Sequence, residues 1–245
     1  AVSQAALRFH FSEPGDGGLA AAERALSIDA NLAEAHAAIA RVLTSNSKYD
    51  EAQGEIETAL RLDPESFEVN TAAARLNYAQ GRYEDATRYY EKAASLMESD
   101  FSSVAMLIGC YRSLGNQEGL RHAAQRTLAR AEKIAAQEPD NGMAMGYVVM
   151  SLIALGQGDR ARELAKRAML LDPDNLTMRY NFACGFVELK DTETALNLLG
   201  AVLEKDTLET VNWAKVDPDL DALRDHPRFK AMIEGAEKRL ATAAG

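Results

Sequence analysis

The chain has 245 residues, 47% of them hydrophobic, enough to bury a sizeable core. Lys and Arg total 27 against 37 Asp and Glu, and the net charge of -10 opposes a phosphate backbone, which argues against nucleic acid as a partner. Alanine is abundant, the 6 prolines are sparse and runs rich in Val, Ile and Thr are missing, so helix is predicted along most of the length.

In chain order, "VSQAALRFHF" and "GLAAAERALSID" read as the two helices of a degenerate first unit, about 1–32. A repeating unit of 34 residues then starts at Ala33, with Ala40 at position 8, Leu43 at 11, Tyr49 at 17, Ala52 at 20, Ile56 at 24, Ala59 at 27 and Pro64 at 32. From Phe67 the same grammar returns as Ala74, Gly81 at 15, Tyr83, Ala86, Tyr90 and Ala93. The unit from Phe101 carries Leu107, Ile108, Tyr111 and Gly115, but Leu120 and Thr127 take the small-residue positions 20 and 27, and its proline, Pro139, arrives seven residues late. Seven residues are nearly two helical turns and preserve the buried face, so one long second helix is predicted from about Asn116 to Gln137. Units from Gly142 (Val148, Val149, Leu152, Gly156, Ala161, Ala165, Ala168) and from Leu176 (Phe182, Ala183, Phe186, Ala195, Leu199) follow.

These spacings resemble the tetratricopeptide repeat (TPR), in which small residues at positions 8, 20 and 27 let two antiparallel helices touch. The resemblance implies an all-α, right-handed superhelical α-solenoid of about six helix pairs: one domain over 1–245, with repeats near 1–32, 33–66, 67–100, 101–141, 142–175 and 176–209. The segment 210–243 is expected to cap it. In "NWAKVDPDLDALRDHPRF", Asp217 before Pro218 reads as an N-cap and a first-turn proline, and Pro227 opens a last helix carrying Phe229, Met232, Ile233 and Leu240. This tail, with "YNFAC" at Tyr180 upstream, is similar to the end of TPR arrays in bacterial multidomain signalling proteins, where the array follows a nucleotide cyclase, a protein kinase or a winged-helix domain. The resemblance implies a sensor or scaffold portion of such a protein.

Catalytic and cofactor patterns fail on context. "GDGGLA" at Gly15 formally matches a dinucleotide fingerprint but has no preceding strand or βαβ unit. "DPDLD" at Asp217 would need glycine and glutamate where an EF-hand requires them and has Ala222 and Arg228. His10, His36, His122 and His226 are scattered, away from HExxH spacing and from both cysteines. No enzyme activity and no cofactor or metal is expected. Cys110 and Cys184 stand far apart and read as free thiols of a reducing compartment, so the cytoplasm is expected. The longest apolar run, near "MGYVVMSLIAL", is too short to span a bilayer, and the chain opens without a charged-then-apolar leader, so no membrane insertion is expected.

The resemblance further implies that positions 2, 5, 9, 12 and 13 of each first helix line a concave groove. Arg41 and Arg75 (position 9) and Arg112 (position 12) would make one end basic; Met143, Tyr147, Met150, Ile153, Tyr180 and Val187 would make the other apolar. A protein or peptide partner is expected there, with its carboxylates on the arginines and its apolar anchors on the Met/Tyr patch. Against this stands neutralisation of the arginines by Glu34 and Glu68, with the Met/Tyr residues simply packing between helices. A carboxylate clamp of the chaperone-binding kind does not fit Ala37, Arg41, Thr71 and Ala72. The rival function is self-association into a homodimer through the long helix "LRHAAQRTLARAEKIAAQ" or the tail.

Overall fold

The computed structural model describes residues 18–138, 141–205 and 207–243. The first predicted helix, "VSQAALRFHF", and the late Pro139 lie outside them. Thirteen α-helices and one 3-10 helix are described: α1 (Leu19–Ile28), α2 (Ala33–Ser45), α3 (Tyr49–Leu62), α4 (Phe67–Ala79), α5 (Tyr83–Leu96), α6 (Ser102–Ser113), α7 (Gln117–Gln137), α8 (Gly142–Ala154), α9 (Gly158–Leu171), α10 (Leu176–Glu188), α11 (Thr192–Leu203), α12 (Leu208–Val216), a 3-10 helix (Pro218–Leu223) and α13 (Pro227–Ala243). The described residues contain no strand, and the fold is all-α, built from stacked helix pairs. Contacts divide the chain into two compact units, one ending at Glu98 and one beginning at Ser99.

In the first unit α2 packs on α3, α4 on α5, and the two first helices, α2 and α4, on each other. Small residues are what allow this: Ala40, Ala52, Ala59, Ala74, Ala86 and Ala93 are all buried. Without side chains beyond Cβ, the helix backbones approach closely, and the larger Ile56, Val69 and Leu76 fill what remains. α1 lays Ala21, Ala22 and Ala25 against Ala35, Ala38 and Ile39 of α2.

The second unit repeats the scheme with α6/α7, α8/α9 and α10/α11. The long second helix predicted from Asn116 to Gln137 is observed as α7, capped by Asn116, whose side-chain oxygen accepts from Gly119 N at 2.9 Å. Its buried face, Leu120, Ala123, Ala124, Thr127 and Ala131, reaches the first of the extra residues, and Ile134 and Ala135 continue half-buried beyond it. Thr127 is tolerated at a small-residue position because its hydroxyl donates to the Ala123 carbonyl at 2.9 Å. The tail forms the predicted elements: Asp217 caps the 3-10 helix by accepting from Asp219 N at 3.0 Å, and α13 buries Phe229, Ile233 and Ala236 in the core of this unit.

Every described pair turns at repeat position 15, occupied by Ser47, Gly81, Gly115, Gly156 and Lys190, all at positive φ. In each, the N–H of position 16 donates to the carbonyl of position 11, as from Gln157 to Leu152 at 2.8 Å and from Asp191 to Phe186 at 2.9 Å. Glycine is free at this φ, whereas Ser47 and Lys190 are strained. Ser47→Gly and Lys190→Gly are each expected to raise stability by about 0.5–1 kcal/mol in urea titrations, the relief of strain exceeding the added freedom of the unfolded chain. A loss in both would contradict this account of the turn.

Candidate functional site

The first helices of the pairs carry the residues expected to bind. In the first unit, Arg41 on α2 and Arg75 on α4 hold equivalent repeat positions. Arg41 is 7% exposed and Arg75 is half-buried.

In the second unit the expected residues fall into two groups. Met143, Tyr147 and Met150 are half-buried on α8. Tyr147 meets the Phe101 ring edge-on at 5.5 Å, the Met143 sulfur lies 3.9 Å from Ser102 Oγ, and Tyr147 and Met150 pack on the core. Ile153 is buried, and Val187 packs half-buried on the same core.

Arg112 on α6 and Tyr180 on α10 belong to the second group, and the structure brings them together through the tail. The 3-10 helix Pro218–Leu223 lies against α10 and α6. Arg112 spans two carboxylates of its own chain: its Nη2 donates to Glu188 Oε2 at 2.5 Å, and its Nη1 donates to Asp219 Oδ1. Tyr180 donates its hydroxyl to Asp217 Oδ2 at 2.8 Å, with the Cys184 sulfur 3.9 Å from the same oxygen. Leu220 and Leu223, at 0% and 1% exposure, anchor the segment in the core. Arg224 stiffens it from behind, donating to the carbonyls of Lys215 and Asp217 and to Asp221 Oδ1 at 2.7 Å. The carboxylates facing Arg112 in this structure are therefore the chain's own.

The electrostatics are those of a buried polar joint. Burial first, and the neighbouring Asp219 charge second, push the Asp217 carboxyl up from 3.8 to about 7. Burial raises the Tyr180 phenol and the Cys184 thiol well above their ordinary values, with the Asp217 charge adding to both. Glu188 is raised by burial, against the opposing pull of Arg112. A thiol and a phenol held protonated are poor nucleophiles. The arrangement is suited to gripping a chain segment, with an arginine for a carboxylate, a phenol for a second and an apolar seat for two leucines.

Reading the sequence alone missed Asp217, Asp219, Glu188, Leu220 and Leu223 as parts of this site. The acid-and-leucine run in "DPDLDAL" was the available signal, since it has the chemistry expected of a foreign peptide. Among the described residues no group of three or more His, Cys, Asp or Glu could hold a metal ion, and no helix is long and apolar enough to cross a membrane.

The tetratricopeptide repeat model matches residues 37–100. No curated protein matches the sequence. Among solved structures, YrrB, a TPR protein with an unusual peptide-binding site, is 19% identical, with 89% of this chain and 98% of that chain covered and a TM-score of 0.46. PilF of Pseudomonas aeruginosa is 11% identical, covering 86% and 91%, with a TM-score of 0.49. MamA is 16% identical, covering 68% and 94%, with a TM-score of 0.43.

Proposed function

We propose that this chain is a non-catalytic protein-interaction scaffold that binds a partner peptide along its first helices, as a regulatory module of a larger cytoplasmic, bacterial signalling protein. One observation carries the binding reading. In the unit beginning at Ser99 the first helices already hold a short run of protein, residues 217–223, by an arginine–carboxylate pair and a phenol–carboxyl bond, with two leucines of the run buried in the core. A surface that seats one such segment has the chemistry to seat another. Arg41, Arg75, Arg112, Met143, Tyr147, Met150 and Tyr180 are the side chains proposed to line the binding faces. The signalling role is supported by the similarity of the tail to arrays that end multidomain regulators.

The test is selection of binders from a random displayed peptide library against the full chain, followed by photo-crosslinking. Crosslinks are expected on α2, α4, α6, α8 or α10. Crosslinks confined to α3, α5, α7 and α9 would overturn the reading. A mass that rises to the dimer with concentration, with no peptide selected, would replace it by self-association through α7 or the tail.

A further inference from the structure

We infer that the face formed by α6 and α10 is a recognition site for a partner peptide of the pattern Asp-x-Asp-Leu-x-x-Leu, and that residues 217–223 are its tethered occupant, which such a peptide displaces. This assignment rests on the scaffold function just proposed and names the ligand chemistry of its second unit.

The segment is built like a ligand. It is short, it has 3-10 geometry, in which hydrogen bonds are poorer than in an α-helix, and its bonds to α6 and α10 are between side chains. Two of its carboxyl groups have matching groups on the receiving helices. Asp219, a carboxylate with only 10% of its side chain exposed, lies on Arg112, and Asp217 lies on Tyr180. Leu220 and Leu223 enter the core three residues apart, on one face of the turn. Arg112 also keeps Glu188, a carboxylate of α10, within hydrogen-bond reach, so its charge is partly balanced when the segment leaves.

The flanks carry polar bonds of their own outside this seat. Arg228 at the start of α13 bonds Asn197 Oδ1 at 2.7 Å and Glu193 Oε2 at 3.3 Å on α11. Lys215 pairs with Glu237 at 2.8 Å, tying α12 to α13. α13 keeps these ties to α11 and α12 when residues 217–223 leave, while its Phe229, Ile233 and Ala236 share one core with Leu220 and Leu223. A segment tethered on both sides competes at an effective concentration on the order of millimolar, so an equal free peptide needs millimolar levels, or better contacts, to displace it.

The experiment uses the full chain and two fluorescent peptides: one with the sequence of residues 215–224 and the same peptide carrying Asp219→Lys. Three chains are compared: wild type, Leu220→Ala/Leu223→Ala, and Arg112→Glu. The leucine variant loses its own anchors and is expected to bind the native peptide at least ten-fold more tightly than wild type does. Arg112→Glu is expected to reverse the preference and take the Asp219→Lys peptide at least ten-fold more tightly than the native one. Wild-type chain alone gives a reading independent of either variant's folding: millimolar native peptide should accelerate amide exchange at residues 219–223 while α13 keeps its protection.

Unchanged exchange at 219–223, or no reversal of preference by Arg112→Glu, would overturn the assignment. So would a wild-type dimer in which residues 217–223 crosslink between copies, because the occupant would then be a second copy. Library peptides crosslinked to first helices, together with unchanged exchange at 219–223, would remove this assignment and keep the scaffold function. Failure of both would remove both.

Discussion

Asp217→Asn is expected to flatten a fall in stability that the wild-type chain undergoes between about pH 4 and pH 7. The buried carboxyl of Asp217 holds its proton up to about pH 7, whereas an exposed aspartate loses it near 3.8. Across that window the native state binds a proton that the unfolded chain has released. The stabilisation from the neutral form is complete at the acid end, declines as pH rises, and is gone above about 7. Each pH unit is worth at most about 1.4 kcal/mol, so the decline is on the order of 2–4 kcal/mol. The groups facing this carboxyl are Tyr180 and Cys184 on α10, the Asp219 charge of its own turn, and Arg224 behind it. Glu188, also raised, adds a smaller slope of the same sign that survives in the variant. Asparagine keeps an oxygen for the Asp219 N–H and presents its amide nitrogen to Tyr180, whose phenol oxygen can accept from it, so folding is retained while the titration is lost. Urea titrations at pH 5, 6, 7 and 8 read the outcome through the extrapolated free energy. A wild-type profile that is level over this range, or an Asn variant with the wild-type slope, would show that Asp217 is not held neutral.

What the sequence made legible and what it hid divide along contact range. The length of α7 followed from arithmetic on one segment, because two inserted turns leave Leu120, Ala123, Thr127 and Ala131 on one stripe. The glycines at position 15 and the cap at Asp217 are equally local. Arg112 was placed on a first helix by its repeat position, but its partners were not visible, since Asp219 is 107 residues away and Glu188 is 76. Repeat arithmetic says which face a side chain is on and nothing about what non-repeating chain folds back over that face. Tyr180 shows the same limit: it was expected to offer an apolar anchor, and it is instead buried with its hydroxyl committed to Asp217. Arg41 is another instance, since an arginine at an inward position reads as solvent-facing unless the packing around it is known.

Gly142→Ala should cost about 1.5–3 kcal/mol, a large loss for a single methyl group, because of what the methyl meets. A Cβ on Gly142 would stand 2.1 Å from Nδ2 and 2.6 Å from Cγ of Asn175. Asn175 cannot swing away cheaply: its Oδ1 caps α10 by accepting from Met178 N at 2.8 Å, and its Nδ2 donates to Asp172 Oδ2 at 2.9 Å. Relief of the clash therefore breaks the start of the helix that carries Tyr180 and Cys184. Gly185 is different, since the atom met there, at 2.6 Å, is the flexible end of Ile153, and Gly185→Ala should lose less. Gly54 meets nothing, so Gly54→Ala should stabilise α3 by up to about 1 kcal/mol. A double-mutant cycle isolates the cause. Asn175→Ala alone should lose about 1 kcal/mol of capping, and in that background Gly142→Ala should cost almost nothing further, a coupling of about 1–2 kcal/mol. Additive losses in the cycle would mean that the close approach of α8 to α10 is limited by some contact other than the Gly142–Asn175 pair.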